Sequence, residues 1–286
     1  MFEKTVAWLS QERNLSLVIH TGDIVGNTFD QTAWRNAYQY MHQLDNKTKW
    51  VVIAGDDVFG AGGASFKNYE RFFGNMTDQY VVIENRILFI FLNTMNEGGE
   101  VSNERLEWMD QVIQNHNDLL VVLCMHHSLF EFPLLADLSA SDAGEIWNHL
   151  IQHDNVIMTL SGHVHLCWVR VNNNQNKIWA LSTEALIYRG YIRFFDFYQD
   201  RIEVYAYSAW ENKAYVGTLD RFTIWLNATS NDEDRDLWNN GIDIMPTHPF
   251  VPNGMICLAA IEATMIMYWA RKRRAEKTTD ETDNAH

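Results

Sequence analysis

The chain has 286 residues, of which 47% are hydrophobic and 11 are Trp, and it carries a formal net charge of -15. That apolar and aromatic load supports a buried core, excludes a disordered chain, and favours one α/β domain with accessories over two equal domains. The acidic balance, with no Lys/Arg stripe before the far C-terminus, excludes a basic face for binding nucleic acid.

The three cysteines, Cys124, Cys167 and Cys257, lack CxxC spacing, which indicates neither a disulfide framework nor a zinc ribbon. At the start, Thr5 to Leu9 carry an amphipathic helical pattern without a basic n-region or an apolar h-region. No signal peptide is visible, so either the protein is cytosolic or its beginning is absent.

Further on, short apolar runs alternate with helical patterns. Leu15 to His20 reads as a strand ending at Gly22-Asp23, and Thr32 to Leu44 as a helix with Trp34, Tyr38 and Met41 on one face. Strands follow at Trp50 to Ala54, Ile87 to Leu92, Leu119 to Met125 and Val156 to Leu160, with helices at Asn103 to Asn115 and Ile146 to Gln152. Such alternation predicts an α/β sheet with parallel members covered on both faces. Gly60, Gly62 and Gly63 read as a flexible loop and not as a phosphate cradle, because no helix start or Lys follows in register. Ile178 to Leu181, Tyr191 to Phe197 and Ile202 to Ser208 have no helices between them and predict a meander finishing a second sheet.

Chemistry-bearing residues stand where these runs end. Asp23 follows Gly22, Asp56 and Asp57 follow Gly55, His126-His127 close the Leu119 run, and Gly162-His163-Val164-His165 close the Val156 run. In an open α/β sheet the crevice beyond the carboxyl ends of the strands is where ligands bind. Carboxylate oxygens and imidazole nitrogens are the donors that cations active on phosphate esters accept. Glycine before these residues permits the sharp turn that aims the next side chain into the crevice. No GxSxG, HExxH, GxxxxGK[ST] or GxGxxG pattern occurs, which removes the simplest serine-hydrolase, zinc-protease, NTPase and dinucleotide readings.

In this order, over roughly residues 2 to 228, these residues resemble the calcineurin-like metallophosphoesterases. The family pattern runs D-x-H, GD, GNH with an acidic residue, a strand-end His, then GHxH. Thr32-Ala33-Trp34 makes the chain most similar to the secreted or membrane-attached members. The resemblance implies a two-sheet sandwich flanked by helices and a metal-bound hydroxide attacking a phosphate ester. It implies two divalent or trivalent ions (Mn, Fe or Zn). Asp23 would bridge both, Asp56, His126 and His163 would hold the second, and His165 would belong to the first. His127 rather than His126 is expected behind the ligands, since adjacent strand residues face opposite ways. His20 is expected there too, or simply packed in its strand. His42, His116, His149 and His153 are expected to be exposed or capping.

Two departures matter. No D-x-H precedes Asp23, which leaves the first metal short of two ligands or its site empty, and Asp57 stands where the family has a catalytic His. An ionised Asp57 would repel a phosphate dianion, and it would act as an acid only if burial or a like charge raised its pKa. The expectation is therefore a metallophosphoesterase impaired by these changes. The alternative is a catalytically inactive, membrane-displayed binding or structural domain.

The C-terminal part predicts topology. Residues 1–228 read as the domain lacking its first strand, 229–249 as a linker, 250–270 as a transmembrane helix and 271–286 as a polar tail. Arg271-Lys272-Arg273-Arg274 directly after the apolar span places the tail in the cytosol and the domain on the extracellular or lumenal side. The acceptor tripeptides at Asn14, Asn46, Asn75 and Asn227 agree with a glycoprotein in that orientation. Substrate, metal identity and oligomeric state are open at this level.

Overall fold

A computed structural model describes residues 2–12, 15–44, 46–58, 64–74, 78–84, 86–95, 100–129, 142–172 and 177–226. It opens with helix α1 (Phe2–Glu12), strand β1 (Leu17–His20), α2 (Gln31–Met41), β2 (Lys49–Val52), a 3-10 turn over Asp56–Val58, and α3 (Ala64–Phe73). Next come β3 (Gln79–Ile83), β4 (Ile87–Phe91), α4 (Asn103–Asn115), β5 (Leu120–Cys124), α5 (Ala143–Leu150), β6 (Val156–Ser161), β7 (Trp168–Asn172) and β8 (Ile178–Ser182). The one-turn α6 (Leu186–Arg189) leads to β9 (Tyr191–Phe197), β10 (Arg201–Ser208), β11 (Lys213–Ala214) and β12 (Arg221–Trp225). Residues 1–223 form one unit, and of a second, Ile224–His286, only residues 224–226 are described.

Strands β3 to β8 form a six-stranded sheet in the order β3-β4-β5-β6-β8-β7, with β4, β5, β6 and β8 parallel. All five residues of β4 are buried, as a strand covered on both faces requires. Leu88, Ile90, Leu92, Val121, Leu123 and Met125 pack with Leu106, Met109 and Ile113 of α4 and with Ile146 and Leu150 of α5. The other face meets the second sheet, built on β10, where Phe89 packs edge-on against Phe197 (6.0 Å) and Trp179 stacks on Phe222 (5.4 Å). Phe194 and Tyr205 stack within that sheet at 5.3 Å across the β9–β10 pair. The protein is thus a mixed α/β sandwich with helices outside.

Strands β1 and β2 pair in parallel as a separate two-stranded sheet, from Leu17–Lys49 to His20–Val52. Helices α1, α2 and α3 pack with it around Val6, Trp34, Met41 and Tyr69. Trp8 of α1 stacks on Tyr207 of β10 at 5.3 Å, so apolar packing joins this pair to the second sheet. Trp34 is fully buried, donates from Nε1 to the Thr28 carbonyl (2.9 Å), and meets the Tyr69 ring edge-on at 6.3 Å. It therefore pins the loop after Asp23 to α3.

Several expectations are corrected. Strand β8 is not part of a terminal meander, because it lies parallel to β6 and between β6 and β7. Helix α3 does start at Ala64, directly after the glycines, and its Tyr69, Phe72 and Phe73 face the Trp34 cluster. Strands β3 and β7 escaped the pattern because they are sheet edges, each with a single strand neighbour, and Gln79 and Tyr80 are exposed. His149 and His153 are not idle, since both donate to the Asp110 carboxylate (2.6 and 2.9 Å) and tie α5 and the turn after it to α4. His42 and His116 do cap, bonding the carbonyls of Tyr38 and Val112 from Nδ1 (2.9 and 2.8 Å).

The expected linker and membrane helix at 229–270 lie outside the described residues, as do Cys257, Asn14, Asn75 and Asn227. Among the described residues no helix is long and apolar enough to cross a membrane. Asn46 sits exposed in the turn before β2.

Truncating Trp34 to Ala removes a fully buried ring and its bond to Thr28. It should lower unfolding free energy by about 3 to 5 kcal/mol, read as a fall in the urea midpoint at unchanged m-value.

Candidate metal centre

Chain pairing continues past the strand ends and sets the loops side by side. Ile53 N–H donates to the His20 carbonyl (2.8 Å), Met125 N–H to Leu160 (3.0 Å), and Gly162 N–H to His126 (3.0 Å). The backbone then turns sharply. Asp23, His163 and His165 take positive φ of 55°, 60° and 57°, rare for residues with a Cβ and concentrated at functional sites. Gly22 has φ 105°, and a Cβ there would lie 2.1 Å from His126 Nδ1. That position admits only glycine because the histidine ring passes against the bare backbone.

These turns bring donor atoms of Asp23, Asp56, His126 and His163 within 4.8 Å of one another. His163 Nδ1 lies 3.0 Å from Asp56 Oδ2 and 3.1 Å from His126 Nε2. His126 Nε2 is 3.6 Å from Asp23 Oδ2 and 3.9 Å from Asp56 Oδ1. His126 donates from Nδ1 to the Thr21 carbonyl (2.7 Å), which leaves the Nε2 lone pair free on the side of His163, Asp23 and Asp56. The His126 imidazole is buried and that of His163 half-buried, while the side chain of Asp56 is 52% exposed, so the cluster opens to solvent on its carboxylate side.

The electrostatics suit a cation. Burial lowers the pKa of His126, partly offset by Asp23. Burial and then the neighbouring His126 and His163 lower that of His127 to about 4. Partial burial alone would push the Asp56 carboxyl up, but the hydrogen bond and charge of His163, with His126 and His127, hold it below its usual value. Neutral imidazoles and ionised carboxylates are the forms that bind metal. Two imidazoles and two carboxylates, converging from four loops, fit a divalent cation.

The other candidates fall around this group. His127 also faces it, with Nε2 3.7 Å from Asp56 Oδ1 and its ring 4.5 Å from that of His163. Strand alternation does not separate the two histidines, because β5 ends at Cys124 and both lie in the turn beyond it. His165 stands apart from the four donors, its Nδ1 3.4 Å from the exposed Tyr188 hydroxyl of α6. His20 packs edge-on against Phe2 (5.7 Å) with its Nδ1 buried and unbonded, and burial, partly offset by Asp23, lowers its pKa to about 4. The Asp57 side chain lies outside the described residues.

Sequence reading missed the Thr21 carbonyl and Thr94, which is fully buried and bonds His127. Leu92-Asn93-Thr94 follows β4, so the rule that singled out the other strand ends could have found Thr94.

This architecture is a metallophosphoesterase fold. A dimetal phosphatase from Danio rerio shares it, with a TM-score of 0.58 and 14% identity over 79% of this chain and 88% of that one. Among relatives by sequence, the uncharacterized protein YvnB of Bacillus subtilis is 26% identical over 271 residues, 79% of this chain and 20% of that protein. A probable cyclic nucleotide phosphodiesterase of Psychrobacter arcticus is 21% identical over 168 residues, 55% of this chain and 59% of that protein. The chain thus spans a fifth of one relative and under two thirds of the other. No family model matches it.

Two outcomes are expected. Unfolded His20 and His127 bind protons below about pH 6.5 but folded ones only near pH 4, so stability present above 6.5 is lost as pH falls towards 4. The urea midpoint of EDTA-treated protein should drop across that window, with a slope approaching about 1.4 kcal/mol per pH unit for each histidine. A flat profile there would contradict the buried neutral rings. Gly22→Ala should cost roughly 1 to 3 kcal/mol. Gly26→Ala, where an added Cβ meets nothing within 4 Å, should change the midpoint little.

Proposed function

We propose that the chain is a metal-dependent phosphoester hydrolase. The observation that carries this reading is the convergence of Asp23, Asp56, His126 and His163 at the ends of β1, β2, β5 and β6. The fold shared with a dimetal phosphatase supports it, and so does the relative described as a probable cyclic nucleotide phosphodiesterase. In this reading Asp23, Asp56, His126 and His163 would hold one cation, and Asp23 and His165 would contribute to a second. When bound, such cations lower the pKa of water towards neutrality and offset the charge that builds on a phosphoryl group. The protein's part is to present two carboxylates and two imidazoles at fixed distances, with the Thr21 carbonyl orienting His126. Water is the nucleophile and a phosphate ester the substrate. The acid role that Asp57 would take only with a raised pKa rests on its position in the sequence.

The test is metal content together with turnover. Asp23→Asn and His163→Ala should each lower bound metal in Mn- or Zn-reconstituted protein and reduce hydrolysis of p-nitrophenyl phosphate or its bis ester by on the order of 10²-fold or more. Metal stoichiometry equal to the parent's in both variants overturns the site assignment. Full metal binding in the parent with no turnover of either ester points instead to an inactive binding or structural domain.

The same reading assigns 1–228 to the hydrolase domain, 229–249 to a linker, 250–270 to a single-pass membrane helix and 271–286 to a cytosolic tail. What supports it is the apolar span ending at the Arg271–Arg274 cluster, with the domain then extracellular or lumenal. Carbonate-washed membranes from cells expressing the gene should retain the protein, and glycosidase should increase its gel mobility. Release into the soluble fraction with no mobility change would refute this topology.

A further inference from the structure

We infer that His127 is not a metal ligand but a neutral N–H donor facing the centre, held in that tautomer by the buried hydroxyl of Thr94. The inference rests on the hydrolase reading for its catalytic consequence, though not for its structural core.

The argument is an accounting of protons. A threonine hydroxyl has one hydrogen to donate and two lone pairs. Thr94 Oγ1 accepts from the backbone N–H of His127 (3.2 Å) and lies 2.9 Å from Nδ1 of the same residue. Thr94 is fully buried and His127 nearly so, which shields the pair from bulk water. Among the described residues, His127 Nδ1 is the acceptor within reach of the Thr94 hydroxyl hydrogen. If Nδ1 carried a proton, Oγ1 would accept twice and its own hydrogen would be buried without an acceptor, the costly arrangement. The hydroxyl therefore donates to Nδ1, and the ring proton sits on Nε2.

That placement decides what His127 does. A protonated Nε2 has no lone pair for a cation, which separates His127 from His126, where the Thr21 carbonyl holds the proton on Nδ1 and frees Nε2. Adjacent histidines are thus set to opposite tautomers by a hydroxyl and a carbonyl. His127 Nε2–H points towards Asp56, 3.7 Å from its Oδ1, on the side where the cluster opens to solvent. A phosphoryl oxygen of an ester seated there would receive this hydrogen bond, a fixed donor of the kind that stabilises developing oxyanion charge. Thr94 is then a positioning residue.

Nitrogen-15 NMR of metal-free protein, with His127→Gln used to assign the signal, reads the tautomer directly. The parent and Thr94→Ser should show His127 as the Nε2–H form, and Thr94→Val should show a mixture or the Nδ1–H form. An Nδ1–H ring in the parent, or a Thr94→Val spectrum identical to the parent's, overturns the inference. His127→Ala should bind as much metal as the parent, and loss of one metal equivalent would make His127 a ligand and overturn it. With p-nitrophenyl phosphate, His127→Ala should lower kcat by about 10²- to 10³-fold. His127→Gln, which keeps an N–H in the place of Nε2, should recover part of that loss, and Thr94→Ser most of what Thr94→Val loses. A parent without turnover sinks the hydrolase reading and with it the catalytic role, whereas the tautomer and metal arms still decide the structural claim.

Discussion

The hydrogen bond from His126 Nδ1 to the Thr21 carbonyl (2.7 Å) joins the loop after β5 to the loop after β1, which belong to different sheets. Within the six-stranded sheet, parallel pairing already places the loops of His126 and His163 together. Within the two-stranded sheet, pairing of β1 with β2 does the same for Asp23 and Asp56. The bond between His126 and Thr21 brings the two pairs into one cluster. It requires the close approach that bare Gly22 permits, so the conformation of one glycine and the orientation of one imidazole are two sides of the same constraint.

The centre also stores strain. Asp23, His163 and His165 hold backbone conformations that cost of order 1 to 3 kcal/mol each, and neutral buried rings add a cost that grows as pH falls. Such costs persist only where the surrounding structure over-determines the geometry. Here that structure is the packed face of β4, β5 and β6 below the loops, and the Trp34 cluster that pins the segment after Asp23. Stability is therefore invested under the site while the site itself is strained.

Histidines with similar sequence surroundings end in unlike roles because their partners differ. His126 and His127 are neighbours in the chain, yet one bonds a carbonyl and the other a hydroxyl. His163 and His165 share a GHxH motif and a left-handed backbone, yet His163 enters the cluster and His165 turns to Tyr188 of α6. His149 of α5 and His153 of the turn after it share the carboxylate of Asp110 on α4.

Much of this was legible in the residues themselves. The parallel strands of the six-stranded sheet announced themselves as apolar runs because strands buried on both faces must be apolar throughout, and Asp23, Asp56, His126 and His163, which converge in the fold, stand just beyond the ends of apolar runs. Edge strands β3 and β7 left little signal because exposed faces tolerate polar residues, and the place of β8 beside β6 depended on long-range pairing that no local pattern encodes. Only the tertiary structure decided that His127 faces the cluster, that Thr94 and the Thr21 carbonyl orient the two rings, and that His165 stands apart. Spacing along a chain determines which residues leave the strands together, whereas the direction of a ring and the seat of its proton are set by atoms 33 and 105 residues away in the chain.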